Sequence, residues 1–231
     1  MKRLQSLAIP KSLAPGDTVA VVSPSWGGAA RFPYRLDAGL KILRDRFGFV
    51  IRETPGMRAD PDWLAANPQA RAGDLMAAFA DPEVNGIVAA IGGDDAVRLE
   101  PFLRLDVIAA NPKVMLGYSD TTALHFACLK AGLRSYYGPS VMSGFAENGG
   151  ISPTTERGFR AAVMSAEPFN LLWAAEGWTD EHLDWSAREL QSRHRRRTHS
   201  TGPRVLRGQG QHAGPLIGGC LEVLEMLKAT P

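Results

Sequence analysis

Cysteine is scarce in this 231-residue sequence: there are two, Cys128 and Cys220. Both sit in apolar stretches that read as buried helix, so neither a disulfide framework nor a metal knuckle is spelled out. The five histidines never pair as His-x-x-x-His or with a cysteine, which removes the local signature of a zinc site. The expectation is a protein with no metal and no cofactor. Long apolar runs are missing too. The stretches Thr18 to Val22 and Gly86 to Ile91 are far too short to cross a bilayer, and Met1-Lys2-Arg3-Leu4 opens no secretory signal. A cytoplasmic protein with no membrane partner is expected by default. A marked excess of one charge sign is missing as well, 26 lysines and arginines facing 24 aspartates and glutamates for a net of +2. The excess sits in one stretch holding Arg193, Arg195, Arg196, Arg197, Arg204 and Arg207, with no aromatic between them. That composition reads as a solvated loop rather than a nucleic-acid surface. No P-loop lysine accompanies the glycine pairs, and no internal repeat is present.

What the sequence does contain is a regular alternation of strand and helix signals. Gly16 to Val22 is a β-prone run ending in the turn cluster Ser23-Pro24-Ser25-Trp26-Gly27-Gly28. Arg31 to Phe47 carries Leu36, Leu40, Ile42 and Leu43 at helical spacing and closes on Gly48, and Phe49-Val50-Ile51 begins a short strand. Gln69 to Phe79 repeats the helical pattern with Ala72, Leu75, Met76 and Phe79, until Asp81-Pro82 stops it. Gly86 to Ile91 is an apolar strand running into Gly92-Gly93-Asp94-Asp95, followed by a helix-like stretch from Ala96 to Leu103. Val107 to Ala110 leads to Pro112, Lys113 to Gly117 is a further buried strand, and Ser119 to Ala131 reads as its helix. Strands apolar on both faces imply a parallel α/β sheet with flanking helices, whose sites gather beyond the strand C-termini. The loops at Gly92 to Asp95 and Tyr118 to Asp120 lie there. After Pro153 the pattern loosens around Trp173, Trp178 and Trp185, and it resumes with Gly214 to Gly219 and an apolar helix from Cys220 to Leu227.

Ser119 follows a strand and a glycine and precedes a helix. A turn of that kind presents the hydroxyl at the sheet edge and aims the helix N-terminus at it, as in a nucleophile elbow. First-turn N–H groups, Asp120's first, can then stabilise an oxyanion. Gly117-Tyr118-Ser119-Asp120-Thr121 lacks the second glycine of the usual Gly-x-Ser-x-Gly elbow, and Ser119 as a plain helix N-cap satisfies the same residues. The paired glycines Gly92 and Gly93, with Asp94, admit backbone amides close to a ligand and so offer a second oxyanion donor; equally, Asp94 or Asp95 can cap the next helix.

These motifs, taken in order, resemble the LD-carboxypeptidases. The resemblance is carried by Ala90 to Arg98, by Asn111-Pro112-Lys113 leading into Gly117 to Leu124, by Tyr137-Gly138-Pro139, and by Gly214 to Leu224. Within that family the microcin C immunity peptidases are the nearest in pattern. The resemblance implies a Rossmann-like N-terminal domain, here residues 1–160, and a connection leading into an incomplete second domain, here residues 161–231. It further implies Ser119 as acyl-forming nucleophile, an oxyanion hole from Asp120 and from Gly92, Gly93 and Asp94, and no metal. The substrate class would be a murein peptide or a peptidyl or aminoacyl nucleotide, and the assembly a cytoplasmic homodimer.

In the family a glutamate and a histidine from the second domain complete the site, both downstream of the Gly218 to Leu227 stretch, and the sequence ends before either. Without a base a serine hydroxyl is a weak nucleophile. His125, nearly two turns along its helix, and His182, His194, His199 and His212 read as surface or satisfied side chains, and Glu222 and Glu225 as ordinary helix positions. The alternative reading is an α/β module that binds a peptide or aminoacyl nucleotide without hydrolysing it. Trp178 or Trp185 stacking on a base, and tryptophans plugging an interdomain seam, both remain open.

Overall fold

The computed structural model describes residues 7–167, 177–202, 204–211, 213–228 and 230. Five parallel strands form the centre in the order β2-β1-β3-β4-β5: β1 (Thr18–Val22), β2 (Val50–Glu53), β3 (Val84–Ala89), β4 (Val114–Gly117) and β5 (Tyr136–Tyr137). The β1 side chains alternate faces, as a period of two requires. Val19 and Val21 face Leu36, Leu40, Leu43, Phe47, Phe145 and Phe159, which come mainly from helices α2 (Pro33–Phe47) and α7 (Pro153–Val163). Ala20 and Val22 face Leu75, Phe79, Ile108, Leu124 and Cys128. These come from α4 (Pro68–Ala80), α5 (Leu105–Ala110) and α6 (Thr122–Lys130). A parallel sheet is stable only with both faces covered, and this division of the apolar residues covers both.

Several elements differ from their expected form. The helix expected from Arg31 to Phe47 is two, α1 (Gly28–Arg31) and α2, because Pro33 supplies no N–H and drives Phe32 out of helical space, to φ −133 and ψ 65. The stretch from Ala96 is a 3-10 helix, Ala96–Phe102, with Pro101 inside it. The lead-in to Pro112 contains a helix of its own, α5. Cys220 is half-buried rather than buried. Helix α8 (Leu221–Leu227) buries Val223 alone, against Ala96 and Ala123, and Leu221 remains 76% exposed. A short α3 (Pro61–Ala66) precedes α4, and β6 (Gly177–Trp178) and β7 (Thr198–His199) pair antiparallel. Trp173 and His212 lie outside the described residues. No helix among the described residues is long and apolar enough to cross a membrane.

The strand order reverses direction between β1 and β3, so the connections leaving these two strands diverge and open a crevice at their C-terminal ends. The loops after β1, β3 and β4 converge there.

Candidate active site

The β4 strand is buried throughout and ends on Gly117. The chain then turns through Tyr118, extended at φ −150, into Ser119 at φ +60 and the 3-10 turn Ser119–Thr121 that opens α6. Ser119 is the one non-glycine residue with positive φ among the described residues. Left-handed backbone costs a side-chain-bearing residue about 1–2 kcal/mol, so the surrounding contacts must hold it. The Ser119 N–H donates to Tyr137 Oη at 2.9 Å, and its carbonyl accepts from Thr122 Oγ1 at 2.6 Å. Tyr118 is the N-cap of the turn, with no side-chain capping bond. The geometry is therefore that of a strand–turn–helix elbow, and the cap reading of Ser119 finds no support.

The β3 loop lies against this turn. A Cβ placed on Gly92 would stand 3.2 Å from Ser119 Cβ and 3.4 Å from the Asp120 nitrogen. Gly93 faces the β1 loop instead: a Cβ there would fall 2.1 Å from Ser25 Oγ and 2.8 Å from the Trp26 nitrogen, so only glycine fits. Asp94 is exposed. Ser119, Asp120 and Gly92 are thus brought together, while Gly93 and Asp94 occupy the side of the loop toward Trp26 and solvent.

The Asp120 side chain does something the sequence did not suggest. It is fully buried, and its Oδ2 accepts from Ser25 Oγ, from the Asp95 N–H at 3.0 Å and from the Ala96 N–H at 2.8 Å. One carboxylate oxygen therefore ties the three loops after β1, β3 and β4 into one floor, while Oδ1 has no partner. Arg71 buttresses the same floor from α4. Its guanidinium is buried and donates to the Pro24 carbonyl at 2.9 Å and, through two nitrogens, to both oxygens of Asp95 at 2.7 and 2.9 Å. The Asp95 carboxylate makes no capping bond to the helix it precedes; Arg71 and Arg98 hold it. The signal for Arg71 was its spacing: residues 71, 75 and 79 share one helix face, and the other two are Leu75 and Phe79.

His125 sits closer to the elbow backbone than its distance along α6 suggested. Its Nε2 donates to the Gly117 carbonyl at 2.9 Å, which leaves Nδ1 to accept from Ser135 Oγ at 2.9 Å. Burial draws its pKa down, only partly offset by the Gly117 bond, so the ring is held neutral with both nitrogens engaged. Of the other histidines, His182, His194 and His199 are exposed. Glu222 accepts from Cys220 Sγ and Glu225 pairs with Lys228 at 2.6 Å.

In the basic stretch, Arg193 and Arg196 pair with Glu181, and Arg195 binds Glu147 through two bonds of 2.9 and 2.6 Å. Trp185 lies under the Arg35 guanidinium, 4.1 Å from its ring centroid, and meets Phe32 edge-on; one face of the indole is therefore covered. Trp178 is 53% exposed. A cavity of about 990 Å³ opens beside β5, lined by Leu116, Phe126, Leu129, Tyr137, Phe159 and Ile217 among others, and Ser119 does not line it.

Comparison with known proteins gives the family and the fold. The family model described as the LD-carboxypeptidase N-terminal domain matches residues 19–138, which span β1 to the end of β5 and include both loops. The chain belongs to the LD-carboxypeptidase family. Microcin C7 self-immunity protein MccF of Escherichia coli is 30% identical over 214 residues, 92% of this chain and 61% of its own length. The putative carboxypeptidase YocD of Bacillus subtilis is 32% identical over 219 residues, 94% of this chain and 64% of its own. A solved structure of MccF in complex with aspartyl sulfamoyl adenosine superposes with a TM-score of 0.85 at 28% identity, covering 96% of this chain and 66% of the other. The α/β fold is thus that of the MccF-like LD-carboxypeptidases, and the chain spans a little over three fifths of the length of these curated relatives.

Proposed function

We propose that this chain carries the nucleophile half of a serine LD-carboxypeptidase of the microcin-immunity type, with Ser119 forming the acyl-enzyme. The observation that carries the reading is the strained φ of Ser119 at the mouth of β4, with Gly92 packed against it. Ser119 Oγ attacks the carbonyl carbon of an amide or acyl-type bond, its proton passes to a base, and the carbonyl electrons collect on oxygen. The Asp120 N–H is the first donor to that oxyanion, and a second would come from the Gly92 side of the neighbouring loop, which packs against Ser119. Collapse expels the amine, which takes up the proton, and water then hydrolyses the ester on Ser119. His125 is engaged on both nitrogens and is not that base; the family resemblance assigns the role to a glutamate and a histidine of the second domain. A peptidyl or aminoacyl nucleotide is the substrate class supported by the ligand of the MccF structure, and a murein peptide the class supported by the carboxypeptidase relatives. Cytoplasmic placement and a homodimer belong to the same reading.

A second reading, a module that binds such a ligand without cleaving it, is favoured by one observation: no histidine among the described residues is free beside Ser119. Labelling with a fluorophosphonate probe and mass spectrometry separates the two. The expected result is an adduct on Ser119, gained most strongly when the chain is joined to the remaining portion found in its relatives. No adduct in either form, with ligand binding indifferent to Ser119→Ala, would replace the peptidase with the binding module.

A further inference from the structure

Both polar atoms of the Ser119 backbone are held by side chains from elsewhere, and one of those side chains is shared with the last helix. Thr122 is fully buried. Its Oγ1 donates to the Ser119 carbonyl at 2.6 Å and accepts from the Cys220 N–H at 3.0 Å. A hydroxyl has one proton and two lone pairs, so the proton direction is set once an N–H fills the acceptor side. Donating and accepting together also strengthens each bond. The approach is close: a Cβ on Gly219 would fall 2.3 Å from Thr122 Cγ2, so the chain reaches the hydroxyl only because residue 219 has none. Beyond Cys220, Val223 packs on Ala96 and Ala123, and the Ala96 N–H is one of the three donors gathered by Asp120. The leading turn of α8 therefore touches the elbow at Thr122 and the loop floor at Ala96.

We infer that Thr122 is a positioning residue that couples the seating of the Gly219–Leu227 segment to the backbone geometry of Ser119. With α8 seated, Cys220 orients the Thr122 hydroxyl, and that hydroxyl holds the Ser119 carbonyl in its left-handed turn. With α8 lifted, the hydroxyl is free to rotate among its staggered positions, and the elbow relaxes. The consequence for reactivity rests on the serine-nucleophile reading; the coupling itself does not.

Amide exchange by NMR, read beside fluorophosphonate labelling, tests it in the chain as it stands. Thr122→Val removes the hydroxyl at nearly constant shape, Thr122→Ser restores it, and Gly219→Ala unseats α8 from outside the core. The valine and alanine variants are expected to speed exchange of the Cys220 and Ser119 amides together, by about tenfold, the scale of one lost hydrogen bond, and to slow labelling of Ser119 to a similar extent. The serine variant stays near the parent. Faster exchange at Cys220 in Gly219→Ala, with Ser119 exchange unchanged, would overturn the coupling. Joint acceleration, with no Ser119 adduct either in the parent chain or in the form joined to the remaining portion found in its relatives, would uphold the coupling and remove the nucleophile.

Discussion

Residues 7–167 and the described residues from 177 onward are built on different principles. The first region encloses two apolar clusters on opposite faces of a parallel sheet. In the second, among the described residues, Leu183 and Val223 are the buried apolar side chains, while Val205, Leu206 and Leu216 are 82%, 83% and 99% exposed. Its order is borrowed through polar anchors. Arg35, buried on α2, donates to the Met142 carbonyl, to Asn148 Oδ1 and to Gln191 Oε1 at 2.8 to 2.9 Å, with Trp185 stacked beneath it. Glu147 holds Arg195, and Thr122 holds Cys220. The apolar sheet makes the site stiff, whereas the polar anchors can detach one at a time without exposing a core.

The comparison breaks first at Arg71. Arg71→Met takes the buried donor from the Pro24 carbonyl and from the Asp95 carboxylate, which keeps Arg98, and losing charge-assisted bonds of this kind costs about 2–3 kcal/mol. Urea denaturation should show a loss of about that size, and Ser119 labelling should fall with it because the β1 and β3 loops lose their shared support. A loss below about 1 kcal/mol would show that the loops are held by Asp120 alone.

Arg35→Met acts on the seam between the regions. Burial already draws the Arg35 pKa down, so the guanidinium stays there on the strength of its acceptors, and three of them are bared when it goes. The expected global loss is about 2 kcal/mol, with a larger local effect. Trypsin should cut at Arg188, Arg193 and Arg197 many times faster than in the parent, while residues 7–167 survive as a resistant fragment. If the whole chain is degraded at one rate, the second region is not separately anchored and the contrast between the two is wrong.

Much of the first region was legible because apolar periodicity reports which side of a residue is buried. Thr18 to Val22, Lys113 to Gly117 and the helix after Gln69 were found this way, and Gly117-Tyr118-Ser119-Asp120 located the elbow through its position between strand and helix. Periodicity does not report partners. Arg71 sat in plain view on the face of Leu75 and Phe79, yet its acceptors, Pro24 and Asp95, lie on other loops. Cys220 meets Thr122 across 98 positions of sequence, and nothing local marks either residue. The arginine run drew attention through its composition, but three of its members are matched by Glu181 and Glu147. The side chain of Asp120 was hidden behind the role expected of its N–H.

The smallest effect discriminates most sharply, because its sign should differ between the regions. Ser119→Gly and Ser119→Ala both remove the hydroxyl, and both should abolish labelling. They differ in backbone cost. Glycine usually loses about 0.5–1 kcal/mol to alanine, since it has more freedom to give up on folding. At φ +60 alanine keeps the Cβ penalty that glycine lacks, about 1–2 kcal/mol, so the glycine variant should be the more stable of the two, by about 0.5–1 kcal/mol. The same pair at Ser192, at the end of the 3-10 helix Arg188–Ser192, should show the usual order, with alanine ahead. Thermal melts of the four variants decide it. If alanine leads at both positions, the left-handed turn at Ser119 is not held in solution, and the elbow loses the strain on which its reading as a nucleophile stands.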